Sequence, residues 1–149
     1  MKENLESQEL QIDRANAEFY QAFESLDIRE MERIWAKDQP VRCIHPGWGV
    51  RAGWPAVRDS WILIFNNTSR VSLDVTNVDI RLNGEIGWVT CTETLKTTID
   101  GEIQASRVHA TNIFIRSAGH WLMIHHHGSP VFDMPADDTG DQEPGEEIP

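Results

Sequence analysis

The run VSLDVTNVDIRLNGEIGWVTCTETLKTTIDGEIQASRVHATNIFIRSAGHWLMIHHHG, residues 71–128, decides the fold. It is rich in Val, Ile, Thr and Trp, side chains that suit a pleated surface. Asn83-Gly84 and Asp100-Gly101 divide it at specific points, because two-residue hairpin turns need positive backbone angles that Asn, Asp and Gly adopt at little cost. Ser117-Ala118-Gly119 makes a third break. Residues 71–82, 86–99, 103–116 and 120–128 therefore read as four consecutive antiparallel strands.

Upstream the period changes. In residues 8–26, Ile12, Ala15, Phe19, Ala22, Phe23 and Leu26 recur at helical spacing, with Glu18, Gln21 and Glu24 off the stripe. Asp27 followed by Glu30 has the form of a capping box, and a short helix after it carries Ile28, Met31, Ile34 and Trp35 inward. Pro40 ends that helix, residues 41–45 suffice for a short strand ending at His45, and Pro46-Gly47 breaks it. After the loop at residues 48–53, Trp54, Val57, Trp61, Ile64 and Phe65 predict a third helix, with Pro55 in its first turn. Three helices, one short strand and a four-stranded meander make an α+β plan, with helices on one face of a curved sheet.

In the last two strands both parities are apolar: Val108, Ala110 and Phe114 stand against Ile113 and Ile115, and Leu122 and Ile124 against Trp121 and Met123. A sheet with one wet face would alternate. The second face is therefore expected to be covered by another subunit in a two-fold homodimer.

The 149 residues are divided by charge into a body, 1–132, and a segment, 133–149, with seven carboxylates and no Lys or Arg. Its Pro and Gly content and lack of apolar anchors predict a solvated tail. Without the tail the net charge of −11 falls to −4. No basic stripe is left to displace counterions from a phosphate backbone, so no nucleic-acid partner is expected. Residues 1–6 lack the apolar centre of a secretory signal and no run is long enough to span a membrane, so the expected location is cytoplasmic, with no membrane partner. Cys43 and Cys91 lie in strand-like apolar surroundings and read as reduced, buried thiols.

Two segments carry a resemblance. His109-Ala110-Thr111-Asn112-Ile113-Phe114-Ile115-Arg116, continuing through Ser117-Ala118-Gly119 to Ser129-Pro130, and Ile44-His45-Pro46 leading to Gly53, are similar to the nuclear transport factor 2-like (NTF2-like) superfamily. Within it the chain resembles the SnoaL-like polyketide cyclase group over residues 8–131, with kinship to ketosteroid isomerase and to the association domain of calcium/calmodulin-dependent kinase II. The resemblance implies a cone, a bent sheet around the long first helix, open at one end to a mostly apolar pocket and usually paired into dimers. In the isomerases an aspartate before the proline at the strand end is the proton-transfer base, and here that position holds His45. Their opposing tyrosine and protonated acid are not evident, since the one tyrosine is Tyr20 on the first helix and no Asp or Glu lies between His109 and Gly128. Steroid isomerisation is therefore not implied.

An imidazole titrates near neutrality, so His45 at the rim of a pocket is a candidate acid or base, or else a ligand contact or a structural histidine. Trp48, between glycines just after it, is placed to close over a bound ring, and Trp61 is a candidate wall, though large aromatics are more often core. Asn112 sits in an apolar file and must be hydrogen-bonded, either as a pocket group or as a strut between strands. In His125-His126-His127, alternation sets His126 on one face, sharing parity with Leu122 and Ile124 and read as pocket-facing unless a bulge intervenes. Zinc needs three or four ligands, so the triplet reads better as a hydrogen-bonded cluster, and no metal or cofactor is expected. Two functions compete: binding, and isomerase- or cyclase-like turnover, of a small apolar or aromatic molecule at His45, Trp48, Trp61, Asn112 and His126; or a non-catalytic association module.

Overall fold

The computed structural model describes residues 5–132. Helices α1 (Leu5–Ser25) and α2 (Ile28–Ile34) are followed by strands β1 (Arg42–Ile44) and β2 (Arg51–Ala52) and helix α3 (Trp54–Asn66). Strands β3 (Arg70–Asn83), β4 (Ile86–Ile99), β5 (Glu102–Ser117) and β6 (His120–Pro130) complete one sheet, in the order β2-β1-β6-β5-β4-β3. The meander is the expected one. The acidic segment 133–149 lies outside the described residues.

Several local expectations change. The loop after His45 contains β2, which pairs antiparallel with β1, and β1 joins β6 in parallel, with Cys43 opposite His126. A parallel pair is joined through distant sequence and leaves no turn signal. In the first hairpin Asn83 pairs with Ile86, so the two-residue loop is Gly84-Glu85 rather than Asn83-Gly84. Asp27 does cap α2 by accepting the amide of Arg29, but the reciprocal half of the box is replaced by a contact of Glu30 with Arg33 at 3.4 Å.

The core lies between α1 and the inner face of the sheet. Ile12, Phe19 and Phe23 of α1 and Val57, Trp61 and Phe65 of α3 pack on Val89, Val108, Phe114 and Met123. Phe19, Phe23, Trp61 and Phe65 form a file of tilted and edge-to-face rings, with centroids 5.0–6.5 Å apart between neighbours.

Strand β6 departs from simple alternation. Trp121 and Met123 face inward while Leu122 and Ile124 face out and are half-buried, the reverse of the expected parity. A register shift then occurs: Phe114 pairs with Met123 but Ile113 with His125, so Ile124 is an extra residue in the strand. Beyond it the inward positions are His126 and Gly128. Phe114 and Trp121 thus belong to the chain's own core, and the outer face carries half-buried Trp88, Ile113, Ile115, Leu122 and Ile124.

Candidate functional site

A mostly apolar cleft of about 600 Å³ opens between the end of β1, helix α3 and the inner face of β4. Phe23, Trp48, Ile64 and Leu95 wall it, and three titratable side chains reach it: His45, Glu93 and His126. All three are buried, at 3%, 2% and 2% exposure.

His45 arrives there through a tight turn. Pro46 supplies the bend, Gly47 adopts φ +83°, and the Trp48 amide donates to the His45 carbonyl at 2.8 Å, the pattern of a type II turn. The turn folds Trp48 back so that its ring meets the imidazole edge-on at 4.8 Å. A Cβ on Gly128 would lie 3.1 Å from Pro46 and 3.0 Å from Val108, so the absence of a side chain lets this corner rest on the sheet. His45 Nε2 lies 2.9 Å from Ser60 Oγ, and Ser60 donates to the Val57 carbonyl at 2.7 Å. Burial, then the Arg51 charge, lowers the His45 pKa to about 4, so the ring is neutral at pH 7.

Behind the opposite wall runs a buried polar chain. Tyr20 donates to Glu93 Oε2 at 2.6 Å and accepts from Asn112 Nδ2 at 3.1 Å. The same amide nitrogen donates to Asn16 Oδ1 at 2.8 Å, and Asn112 Oδ1 meets His126 Nδ1 at 2.6 Å. Burial raises the Glu93 pKa to about 7, opposed by the bond from Tyr20, and holds His126 well below its ordinary value, aided by His45. Burial and the Glu93 charge also drive the Tyr20 phenol upward.

Of the residues singled out in the sequence, His45, Trp48 and His126 border the cleft. Asn112, fully buried, lies behind it as a strut between α1, β5 and β6. Trp61 is not at the cleft wall either; it backs His45, its ring at 4.7 Å and 89° to the imidazole. His126 faces inward, but in phase with Trp121 and Met123 across the bulge rather than with Leu122 and Ile124. His125 and His127 point to the outer face, their rings 6.4 Å apart. Among the described residues no three His, Cys, Asp or Glu side chains gather as a metal-holding group.

Sequence reasoning missed Glu93, and with it the pairing of a tyrosine and an acid. The acid comes from β4, outside the two strands searched. A signal was present: Glu93 shares parity with Val89, Cys91 and Leu95, a carboxylate in an otherwise apolar file. Asn16 and Tyr20, four residues apart on α1, likewise border its apolar stripe.

A bent sheet around a long helix, open to an apolar cleft, is the NTF2-like fold. The chain belongs to the SnoaL-like domain family, whose sequence model matches residues 12–133. Among solved structures it is similar to a candidate dehydratase of the NTF2-like family from Streptomyces avermitilis, at 32% identity and TM-score 0.82, covering 87% of this chain and 100% of that one. A candidate calcium/calmodulin-dependent protein kinase type II association domain from Thiobacillus denitrificans is also 32% identical, with TM-score 0.72 over 80% of this chain and 94% of that one. The F-box protein SKIP8 of Arabidopsis thaliana is 32% identical over 114 residues, 76% of this chain. The chain spans about half the length of that curated relative, 47%.

Proposed function

We propose that the protein binds a small apolar or aromatic molecule in this cleft, as a homodimer, and that His45 acts on it as an acid or base. The observation that carries this is the presence at one cleft of a neutral imidazole and a buried carboxyl whose pKa, about 7, lies near working pH. An acid and a base at one apolar site are the equipment for isomerisation or elimination, where one group takes a proton from the substrate and another returns one. With Oε2 accepting from Tyr20, the proton of neutral Glu93 sits on Oε1, ready to donate. The candidate dehydratase among the relatives supports the same reading.

A thermal-shift screen of apolar ring compounds on wild type and His45→Ala in parallel tests it. Hits should raise the wild-type Tm, and His45→Ala should weaken their binding by about 1–3 kcal/mol, the cost of a lost buried partner. Identical shifts on both proteins would remove His45 from the site.

The half-buried row Trp88, Ile113, Ile115 and Leu122 favours a second role in association, as does the similarity to a candidate association domain. Sedimentation at micromolar concentration should give about twice the 17.0 kDa chain mass, and Ile113→Asp should halve it. A wild-type monomer would end the dimer proposal.

A further inference from the structure

The positions of the hydrogens at the cleft follow from one phenol. Tyr20 has a single proton and three neighbours, Glu93 Oε2 at 2.6 Å, Asn112 Nδ2 at 3.1 Å and Cys91 Sγ at 3.4 Å, of which the carboxyl oxygen is the nearest and strongest acceptor and the thiol a weak one. An amide nitrogen only donates, so the phenol oxygen accepts from Asn112 and its own proton goes to Glu93. The second amide hydrogen of Asn112 goes to Asn16 Oδ1. The oxygen of Asn112 is then the atom facing His126 Nδ1, and because an amide oxygen only accepts, Nδ1 carries the hydrogen. In the neutral ring Nε2 is the unprotonated nitrogen.

His45 is fixed in the other sense. Ser60 spends its hydroxyl hydrogen on the Val57 carbonyl, so its oxygen accepts from His45 Nε2–H at 2.9 Å, with Cys43 Sγ a longer, weaker contact of the same nitrogen at 3.6 Å, and Nδ1 is left unprotonated. The two imidazoles are thus tied through opposite nitrogens to groups behind opposite walls. Both rings border the cleft, and each keeps one nitrogen outside these bonds.

We infer that the cleft recognises a hydroxyl: its ligand is an uncharged, ring-sized alcohol or phenol whose O–H is accepted by an unprotonated imidazole nitrogen of His45 or His126. This rests on the proposed small-molecule reading and adds the ligand's chemistry. The cleft's size suits two or three rings, and its wall of Phe23, Trp48, Ile64 and Leu95 suits an apolar frame. Among the described residues no Lys or Arg lines it; Arg51, whose charge reaches His45, stacks on the Trp48 ring at 4.9 Å instead, so an anionic ligand would lose its hydration without a directly paired counter-charge. A cationic amine would have only Glu93 to face, a carboxyl already engaged by Tyr20 and, with its pKa raised to about 7 by burial, only partly charged.

Two measurements on the full chain at pH 7 test this. Long-range proton–nitrogen NMR of histidine-labelled protein should show His126 protonated at Nδ1 and His45 at Nε2; the reverse tautomers, or an imidazolium at either, would overturn the inference. Calorimetric titration with 4-phenylphenol, 4-methoxybiphenyl, biphenyl-4-carboxylate and 4-phenylbenzylamine should rank the phenol at least tenfold tighter than its methyl ether, with the acid and the amine weaker still. Equal affinity for phenol and ether, or a preference for acid or amine, would overturn the hydroxyl assignment while leaving a binding cleft in place. Failure of all four probes to bind would instead overturn the small-molecule reading, and this inference with it.

Discussion

The inner and outer faces of β4, β5 and β6 hold similar polar residues and treat them differently. On the inner face Glu93, Asn112 and His126 are buried and joined through Tyr20 into one hydrogen-bonded chain among aromatic rings. On the outer face Thr92, buried, bridges Asn77 and His109 by longer bonds of 3.3 Å, and His127 is exposed. An interior polar group is tolerated only when its partners are fixed, whereas one at the surface can exchange its partner for water. The difference locates preorganised chemistry on the inside and leaves the outside to be covered.

The largest break in that contrast is expected at Asn112, because Asn112→Leu keeps volume but strands the Tyr20, Asn16 and His126 groups together. It should cost on the order of 3 kcal/mol in urea denaturation, against about 0.5 kcal/mol for Thr111→Val next to it on the outer face. Similar losses at the two positions would dissolve the distinction between the faces.

Glu93 provides a pH-dependent form of the test. Its folded pKa of about 7 exceeds the ordinary 4.5, so between those values the unfolded chain releases the proton first and the wild type loses stability as pH rises. Glu93→Gln has no such loss and should gain on the wild type, by up to about 3 kcal/mol, between pH 4.5 and 8. His45 works with the opposite sign: its folded pKa of about 4 lies below 6.5, so stability is kept above 6.5 and lost as pH falls toward 4, and His45→Gln should remove that acid-side loss. Parallel pH profiles for Glu93→Gln and wild type would show the carboxyl to be solvated. The smallest effect belongs to His127→Ala, expected within about 0.5 kcal/mol of wild type in the monomer, while His126→Ala should lose several times more.

Much of the frame was legible in the sequence because hairpins and amphipathic helices declare themselves locally. The stripe from Ile12 to Phe23 and the turn at Asp100-Gly101 are instances, and Pro46-Gly47 fixed the end of β1 and hence the place of His45. What distance in sequence hides is pairing: β1 meets β6 across some eighty residues, and Tyr20 meets Glu93 across 73. Parity misled at β6, where two errors cancelled. Leu122 was assigned inward and is not, but the extra residue at 124 brings His126 inside after all. The role of Asn112 as strut or pocket group could not be read from strand parity, since both lie on the same face; the position of α1 behind the cleft decides it.

The extra residue in β6 also has a consequence for how this chain tolerates insertions and deletions. Ile124 and His125 both face outward, so the strand carries one position more than strict alternation between Trp121 and His126 needs. Removing Ile124 would place Met123 and His125 as regular neighbours against Phe114 and Ile113, with each side chain keeping the face it has now. In descent, a deletion at this point would straighten the strand and leave the reading frame of the sheet intact.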